Sequence, residues 1–475
     1  MTRAARAPRI RAIVLAAGGG SRFGGRKLEA PVNGKPVLQH VLDALAEAGF
    51  DDPVVTVAPE PPSGIDWRKG QRVTNPAPER GLSSSLKLGW ARATAAEAAP
   101  DAVLVALGDQ PLVRPEVVRA LVAAPLDPAR PIVAPRYVGT DAHNPVRVEV
   151  SAGHLIDGAT GDRGLGPILE HNPELVRWLD FAGDNPDVDT AADLAHVAEL
   201  AWADRVRRNR EQVERFREAP DGPDFYASVS SIFRDDPDRH GDPVLDALRA
   251  HARQEDTWLD IGAGAGRYAL PIARTARRVI ALDPSASMLG ALRESMAEHA
   301  IDSVDVVEAR WPAATDKAGD VLAAALPADV SLIAHVGYDV EAIGPFIDAM
   351  EAATRRECLA VLMERSPASL AEAFWPPLHG EARIALPALP AFVDLLTARG
   401  RSPSVDMVET SRRMWSSRDQ LERFVRRQTW VAPGSAKNRR MLELLDDWLV
   451  PDADGTVDLA VAEPLRVGLV TWQPR

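Results

Sequence analysis

Two segments far apart in the chain share one local grammar: a short apolar strand, a glycine-rich turn, then the start of a helix. The first is Ile13–Gly20 and the second is Thr257–Gly266; they are not sequence repeats of one another. A glycine turn placed after a strand belongs to α/β architectures, in which ligands collect at the carboxyl ends of parallel strands. The chain has 475 residues, and a domain commonly takes ~100–200, so two or three domains are expected. The expected fold class is α/β, with two Rossmann-like sheets.

The spacing of apolar runs extends both ends of that picture. Before residue 200, strands are predicted at Ile13–Ala16, Val54–Ala58, Ala102–Leu107 and Ile132–Ala134, with helices at Pro36–Ala48, Ser84–Ala98, Pro115–Ala123 and Thr190–Ala198. Such alternation argues for a mostly parallel sheet covered by helices. From Trp202 to Glu218 the chain turns charged and helical, until Ala219, Pro220, Asp221, Gly222 and Pro223 break it. Residues 1–200, a helical linker at 201–223 and residues 224–475 are the expected divisions. Strands then resume at Thr257–Ile261, Arg278–Leu282, Ser303–Val307, Val330–Ala334 and Leu359–Met363, and Leu465–Trp472 reads as a last strand.

Composition excludes several classes of function. The formal net charge is -13, which argues against a general nucleic-acid binder, because such a protein needs a basic surface to displace counterions. No apolar run approaches the ~20 residues that span a bilayer, so no membrane partner is expected. Cys358 stands alone and cannot form an internal disulfide; it reads as a core residue rather than a nucleophile. Arg3, Arg6, Arg9 and Arg11 lead straight into the first strand without a signal-peptide core, and the cytoplasm is the expected location.

The first glycine turn runs Leu15-Ala16-Ala17-Gly18-Gly19-Gly20-Ser21-Arg22-Phe23-Gly24-Gly25-Arg26-Lys27. Glycines let backbone N–H groups approach phosphate oxygens without Cβ interference, and Arg22 and Lys27 add charge where a triphosphate would lie. No Gly-Lys-Ser/Thr follows, so this is not a Walker A loop. Farther on, Ala106-Leu107-Gly108-Asp109-Gln110-Pro111 ends an apolar strand in an aspartate, well placed to hold Mg²⁺ against phosphates. Asp187-Val188-Asp189-Thr190 offers a second metal ligand in Asp189, or a cap for the helix that follows.

With Gly81-Leu82-Ser83-Ser84-Ser85-Leu86, Asn144-Pro145-Val146 and Asp189-Thr190 in the same order, residues 10–200 resemble the nucleotidyltransferases of molybdenum cofactor maturation, especially the cytidylyltransferases. The resemblance implies that Asp109 and Asp189 hold Mg²⁺ and that Arg22, Lys27 and Asp109 carry the chemistry. It implies nucleotide contacts from Leu15, Ala16, Ala17, Gly18, Gly20 and Lys27, and from Gly81, Leu82, Ser83 and Ser84. Ala17 looks like the cytidylyl branch, since the guanylyl branch has glycine there, and so implies CTP. The implied acceptor is the molybdopterin cofactor, and a molybdenum enzyme would receive the product. Ala191 and Ala192 depart from the proline and glutamate common after the threonine. The rival is a sugar-phosphate nucleotidyltransferase, which spaces the arginine and lysine farther apart; here four residues separate Arg22 from Lys27.

The second turn reads Trp258-Leu259-Asp260-Ile261-Gly262-Ala263-Gly264-Ala265-Gly266-Arg267. Dinucleotide folds need G-x-G-x-x-G, and Arg267 occupies the last glycine's place. An acid followed by G-x-G-x-G resembles the class I methyltransferases, over roughly 240–365. That resemblance implies S-adenosylmethionine held by Asp260, Gly262, Gly264, Gly266, Asp283 and Glu308. Asp283 ends the second strand, where a carboxylate can accept from both ribose hydroxyls; Glu308 is either near the adenine or a solvated charge. No DNA-methyltransferase tetrapeptide follows the fourth strand, which reads His335-Val336-Gly337-Tyr338. His335 and Tyr338 are a base and an acceptor-positioning group, or an ordinary loop. Phe225–Arg239, with Phe225, Tyr226 and Phe233, is a lid or plain packing. Arg412, Arg413, Arg418, Arg423, Arg426 and Arg427, with Trp415 and Trp430, hold an anionic acceptor or form a solvated face. The methyl acceptor is expected to be a small molecule. The alternative is a non-catalytic module that binds S-adenosylmethionine and regulates.

Overall fold

The computed structural model describes residues 8–95, 99–138, 142–218, 233–312, 322, 326–408, 415–452, 455–461 and 466–475. Contacts divide the chain into two compact units, Met1–Ala198 and Glu199–Arg475. Each is built on a seven-stranded mixed sheet.

The first unit has strands β1 (Ile10–Ala16), β2 (Val54–Val57), β3 (Gln71–Thr74), β4 (Ala102–Leu107), β5 (Ile132–Tyr137), β6 (Val146–Glu149) and β7 (Val176–Phe181), in sheet order β3-β2-β1-β4-β6-β5-β7. All pairs are parallel except those of β6, which runs antiparallel to both neighbours. β2 is buried throughout and β4 nearly so, as strands covered on both faces must be. Helices Val37–Glu47, Leu82–Thr94 and Pro115–Ala123 follow β1, β3 and β4. β1 lies between β2 and β4, so the Gly18–Gly20 turn and the Gly108–Asp109 turn emerge side by side at the carboxyl edge.

The second unit has strands β8 (Thr257–Ile261), β9 (Arg278–Asp283), β10 (Val304–Glu308), β11 (Ala328–Ala334), β12 (Thr354–Met363), β13 (Ser404–Val408) and β14 (Val467–Trp472), in order β10-β9-β8-β11-β12-β14-β13. The first five are parallel, and β14 is antiparallel to β12 and β13. Trp258, Leu248, Leu292 and Leu359 lie in its main core. A satellite core under Arg418–Thr429 and Ala436–Trp448 holds Phe374, Leu421, Val425 and Leu445.

Four strands escape the sequence pattern. β3 and β13 carry polar or exposed residues on both faces, β7 has only Val176 buried, and β6 contains Arg147, fully buried and donating to the carbonyls of Leu121 and Pro125. The two helical stretches read on either side of residue 200 are one helix, Ala191–Phe216, and the unit boundary falls inside it. Phe225, Tyr226, Arg412, Arg413, Leu465 and the 219–223 breaker lie outside the described residues. Among the described residues, no helix is long and apolar enough to cross a membrane.

Candidate functional sites

In the first unit, β1 delivers a turn that folds on itself: Phe23 and Gly25 both donate their N–H to Gly20 O, at 3.0 Å each. Gly20 presses on Lys27, since a Cβ there would lie 3.2 Å from Lys27 Cγ. The turn thereby sends the buried Lys27 side chain back under the glycines. Its Nζ lies 2.6 Å from Asp109 Oδ2 and 2.9 Å from Asp189 Oδ1. Burial works against the Lys27 ammonium, but the charges and hydrogen bonds of Asp109 and Asp189 outweigh it and raise its pKa. Two carboxylates separated by 80 positions of sequence thus converge on one cation.

The region around Asp189 is held by groups that the sequence left without a role. Val188 donates its N–H to Asp109 O at 3.0 Å, tying the two acidic segments together. Gln110 Nε2 donates to Asp187 Oδ1 at 2.7 Å, and Asn185 Nδ2 donates to Gln110 Oε1 and Asn144 O at 3.2 Å each. The helix after Asp189 is capped by Thr190 and Asp193: Thr190 Oγ1 accepts from Asp193 N, and Asp193 Oδ2 accepts from Thr190 N. Asp189 therefore keeps its carboxylate for Lys27, and Asp187 keeps its own for Gln110.

Arg22 is exposed and makes no ion pair with a described residue. Leu15, Ala16 and Ala17 are buried in the strand end, whereas Gly18 is exposed, and a Cβ on it would meet nothing within 4 Å. At the next segment, Leu82 N donates to Asp162 Oδ1 and Ser83 N to Gly161 O, both at 3.1 Å, so these helix-start groups are already partnered. Ser83 is buried. Ser84 Oγ donates to Gly81 O and accepts from Asn75 Nδ2, at 2.8 Å each. Asn75 follows β3, a strand with no apolar alternation, which is why its role is invisible in the sequence.

In the second unit, the three glycines all have positive φ but differ in their surroundings. A Cβ on Gly262 would lie 2.4 Å from Val336 Cγ2, and one on Gly266 2.8 Å from Leu270 Cγ, while one on Gly264 meets nothing within 4 Å. Gly264 N donates to Asp283 Oδ2 at 2.9 Å, and Ser285 N to Asp283 Oδ1 at 2.8 Å, so Asp283 fixes the turn from the next strand. Asp260 is buried and its Oδ1 has no hydrogen-bond partner. Burial, then the Asp283 charge, push its pKa up to about 7. A cradle lined by glycine backbone beside an unsatisfied carboxylate fits a ligand that carries positive charge. Glu308 is exposed and in register with Asp283.

Because the folded pKa of Asp260 lies above its ordinary 3.8, this group favours the fold fully below pH ~4 and loses that contribution as pH rises through ~7. Asp260→Asn is expected to remove a slope of up to ~1.4 kcal/mol per pH unit across that window. Denaturant titrations of both proteins at pH 5 to 8 check it; parallel curves would show that the carboxyl is not held protonated.

Other expectations resolve as packing. Tyr338 is buried and its oxygen accepts from Met363 N at 2.8 Å. Cys358 is fully buried in β12 and burial pushes its thiol up to about 12. Arg418 pairs with Asp446 at 2.6 Å and Glu422 at 2.9 Å, and Arg426 pairs with Glu422. Leu421 and Val425 face the core, so this helix presents an ion-paired, solvated face.

A family model described as a MobA-like NTP transferase domain matches residues 12–176, and one described as a methyltransferase domain matches residues 259–329. The bifunctional protein GlmU of Parvibaculum lavamentivorans is 41% identical over 120 residues, 22% of this chain and 24% of that protein. The probable molybdenum cofactor guanylyltransferase of Thermococcus gammatolerans is 32% identical over 128 residues, 26% of this chain and 61% of that protein. The chain thus spans about a quarter of the first relative's length and about three fifths of the second's. The crystal structure of Rv0371c from Mycobacterium tuberculosis H37Rv is 27% identical, with a TM-score of 0.35, and covers 41% of this chain and 100% of that one. The chain carries a MobA-like NTP transferase domain at its N-terminal end and a methyltransferase domain toward its C-terminal end.

Proposed function

We propose that the chain is a bifunctional transferase. Residues 1–200 would move CMP from CTP onto a phosphorylated acceptor, the molybdopterin cofactor, releasing pyrophosphate. Residues 224–475, beyond the 201–223 segment, would move a methyl group from S-adenosylmethionine to a small-molecule acceptor. The observation that carries the first activity is the convergence of Asp109 and Asp189 on Lys27 Nζ beside the glycine turn. Two carboxylate oxygens within 3 Å of one cation are a hard donor set suited to Mg²⁺, which takes few protein ligands and completes its shell with phosphate and water. Mg²⁺, when bound, supplies charge neutralisation on the triphosphate.

The protein's own residues have mostly positioning to do. The Gly18–Gly20 backbone would cradle phosphate oxygens, and Arg22 would hold the departing pyrophosphate. Lys27 would carry its charge to the reacting phosphate. The acceptor's terminal phosphate oxygen forms a bond to the α-phosphorus of the nucleotide, and the bond from that phosphorus to the bridging oxygen of pyrophosphate breaks. In the second unit, Asp283 would accept from the ribose and Asp260 would face the cofactor's positive charge. Methyl transfer then needs alignment of the acceptor with the methyl carbon.

Ala17 favours CTP. A second reading, GTP, is favoured by the name guanylyltransferase on the Thermococcus relatives, 32% and 33% identical. Pyrophosphate release with Mg²⁺ and molybdenum cofactor, measured for CTP, GTP, ATP and UTP, decides between them. Release with CTP alone is expected. Release with GTP alone would overturn the Ala17 argument, and release with none would move the acceptor to another phosphorylated small molecule.

A further inference from the structure

In the second unit, a cavity of about 360 Å³ opens beyond the end of β12, among Glu364, Arg365, Glu372, Pro376, Arg383 and Arg466. β8, β11 and β12 are parallel, so this cavity and the Gly262–Gly266 turn lie on the same carboxyl edge of one sheet. Val336, which fills the space beside Gly262, and Tyr338, which accepts from Met363 N, belong to the loop after β11. β14 brings Arg466 to the cavity, because Glu364 N donates to Arg466 O at 2.9 Å.

Arg383 is the unusual member. Its residue is only 9% exposed. Nη1 donates to the carbonyls of Ala368 at 3.3 Å and Gln428 at 3.1 Å, and the guanidinium carbon lies 5.1 Å from the Trp375 ring centroid. Nε is buried with no hydrogen-bond partner. No carboxylate of a described residue comes within ion-pair distance. Burial lowers its pKa only to about 10, so it stays charged at neutral pH. The Glu372 charge favours the guanidinium from beyond ion-pair distance, and a buried cation with no carboxylate in direct contact is costly unless an opposite charge completes it. Arg365 already pairs with Glu372, whereas Arg466 is exposed and makes no ion pair with a described residue.

We infer that this cavity is the acceptor pocket of the methyltransferase unit and takes an anionic group, a carboxylate or phosphate, of a small molecule through Arg383 and Arg466. Its assignment to the acceptor rests on the proposed methyl transfer; its affinity for an anion does not. A planar guanidinium suits either group, since both accept two parallel N–H bonds.

The test uses the full chain with Arg22→Ala and Lys27→Met, which removes the two cations proposed to bind phosphate in the first unit. Inorganic phosphate and malonate are titrated by calorimetry at constant ionic strength, and S-adenosylmethionine is titrated separately. Saturable binding of at least one anion is expected. Affinity should fall at least ~10-fold on Arg383→Gln, a loss of ~1.4 kcal/mol, and about threefold on Arg466→Ser, with S-adenosylmethionine affinity unchanged in both. Arg466→Ser guards against misfolding, because its side chain is exposed and unpaired with described residues. No anion binding, or equal binding in all three proteins, overturns the inference. Anion binding without S-adenosylmethionine binding would leave the pocket standing and remove the methyl-transfer reading.

Discussion

Asp109→Ala is expected to lower pyrophosphate release by ~10³-fold, which is ~4 kcal/mol of lost transition-state stabilisation, while leaving the protein folded. Asp109 is partly exposed at the end of β4, and its carboxylate pairs with Lys27 at 2.6 Å. Removing it strips one of two carboxylates from the proposed Mg²⁺ site, and a single carboxylate, Asp189, would hold the ion more weakly. The fold should survive, because β4 is fixed by its buried residues Ala102–Ala106 and by the backbone bond from Val188 N to Asp109 O, which alanine retains. Melting temperature within a few degrees of the parent, together with turnover at the background level, would support the proposal. Turnover within threefold of the parent would remove Asp109 from the reaction. Asp187→Asn is the control: its carboxylate answers Gln110, so the same assay should show a far smaller loss.

What the sequence made legible follows from burial. Ala102–Leu107 is read residue for residue, because a strand covered on both faces appears as an uninterrupted apolar run, and Thr257–Ile261 is read as well because the glycine turn that follows marks its end despite Asp260. Gln71–Thr74 and Ser404–Val408 are missed, because their side chains are half or fully exposed and carry no such run. The change from apolar to charged residues near 200 suggested a break, yet Ala191–Phe216 contains neither proline nor glycine, so nothing in the backbone ends the helix there. At the sites, the glycine turns are local and readable. The convergence of Asp109 and Asp189 on Lys27 is a tertiary fact; from the residues alone Asp189 reads equally as a second ligand or as a helix cap. Lys27 bridging the two aspartates, the Thr190–Asp193 cap that leaves Asp189 free for it, and Arg383 without an ion pair among the described residues depend on which side chains the fold brings together, and no spacing encodes them.

The glycine turn of the second unit allows a sharper separation of stability from binding. Gly262→Ala is expected to destabilise the unit by ~2–5 kcal/mol, the sum of ~1–2 for a left-handed alanine and ~1–3 for overpacking. Its φ is +78° and the new methyl would fall 2.4 Å from Val336 Cγ2, a contact that the loop after β11 must move to relieve. Gly264→Ala carries only the first of these costs, since φ is +55° and no atom lies within 4 Å of the methyl position. The open space before Gly264 is where the proposed cofactor would lie, with the backbone held in place by the Asp283 bond. A methyl group there is expected to weaken S-adenosylmethionine binding ~30-fold, or ~2 kcal/mol, in a protein that melts within a few degrees of the parent. Denaturant titration and calorimetry on the two variants read the two effects separately. The same affinity for S-adenosylmethionine in Gly264→Ala and in the parent would show that the space in front of this turn is not the cofactor's, and would leave Gly264 as a residue required only for the bend.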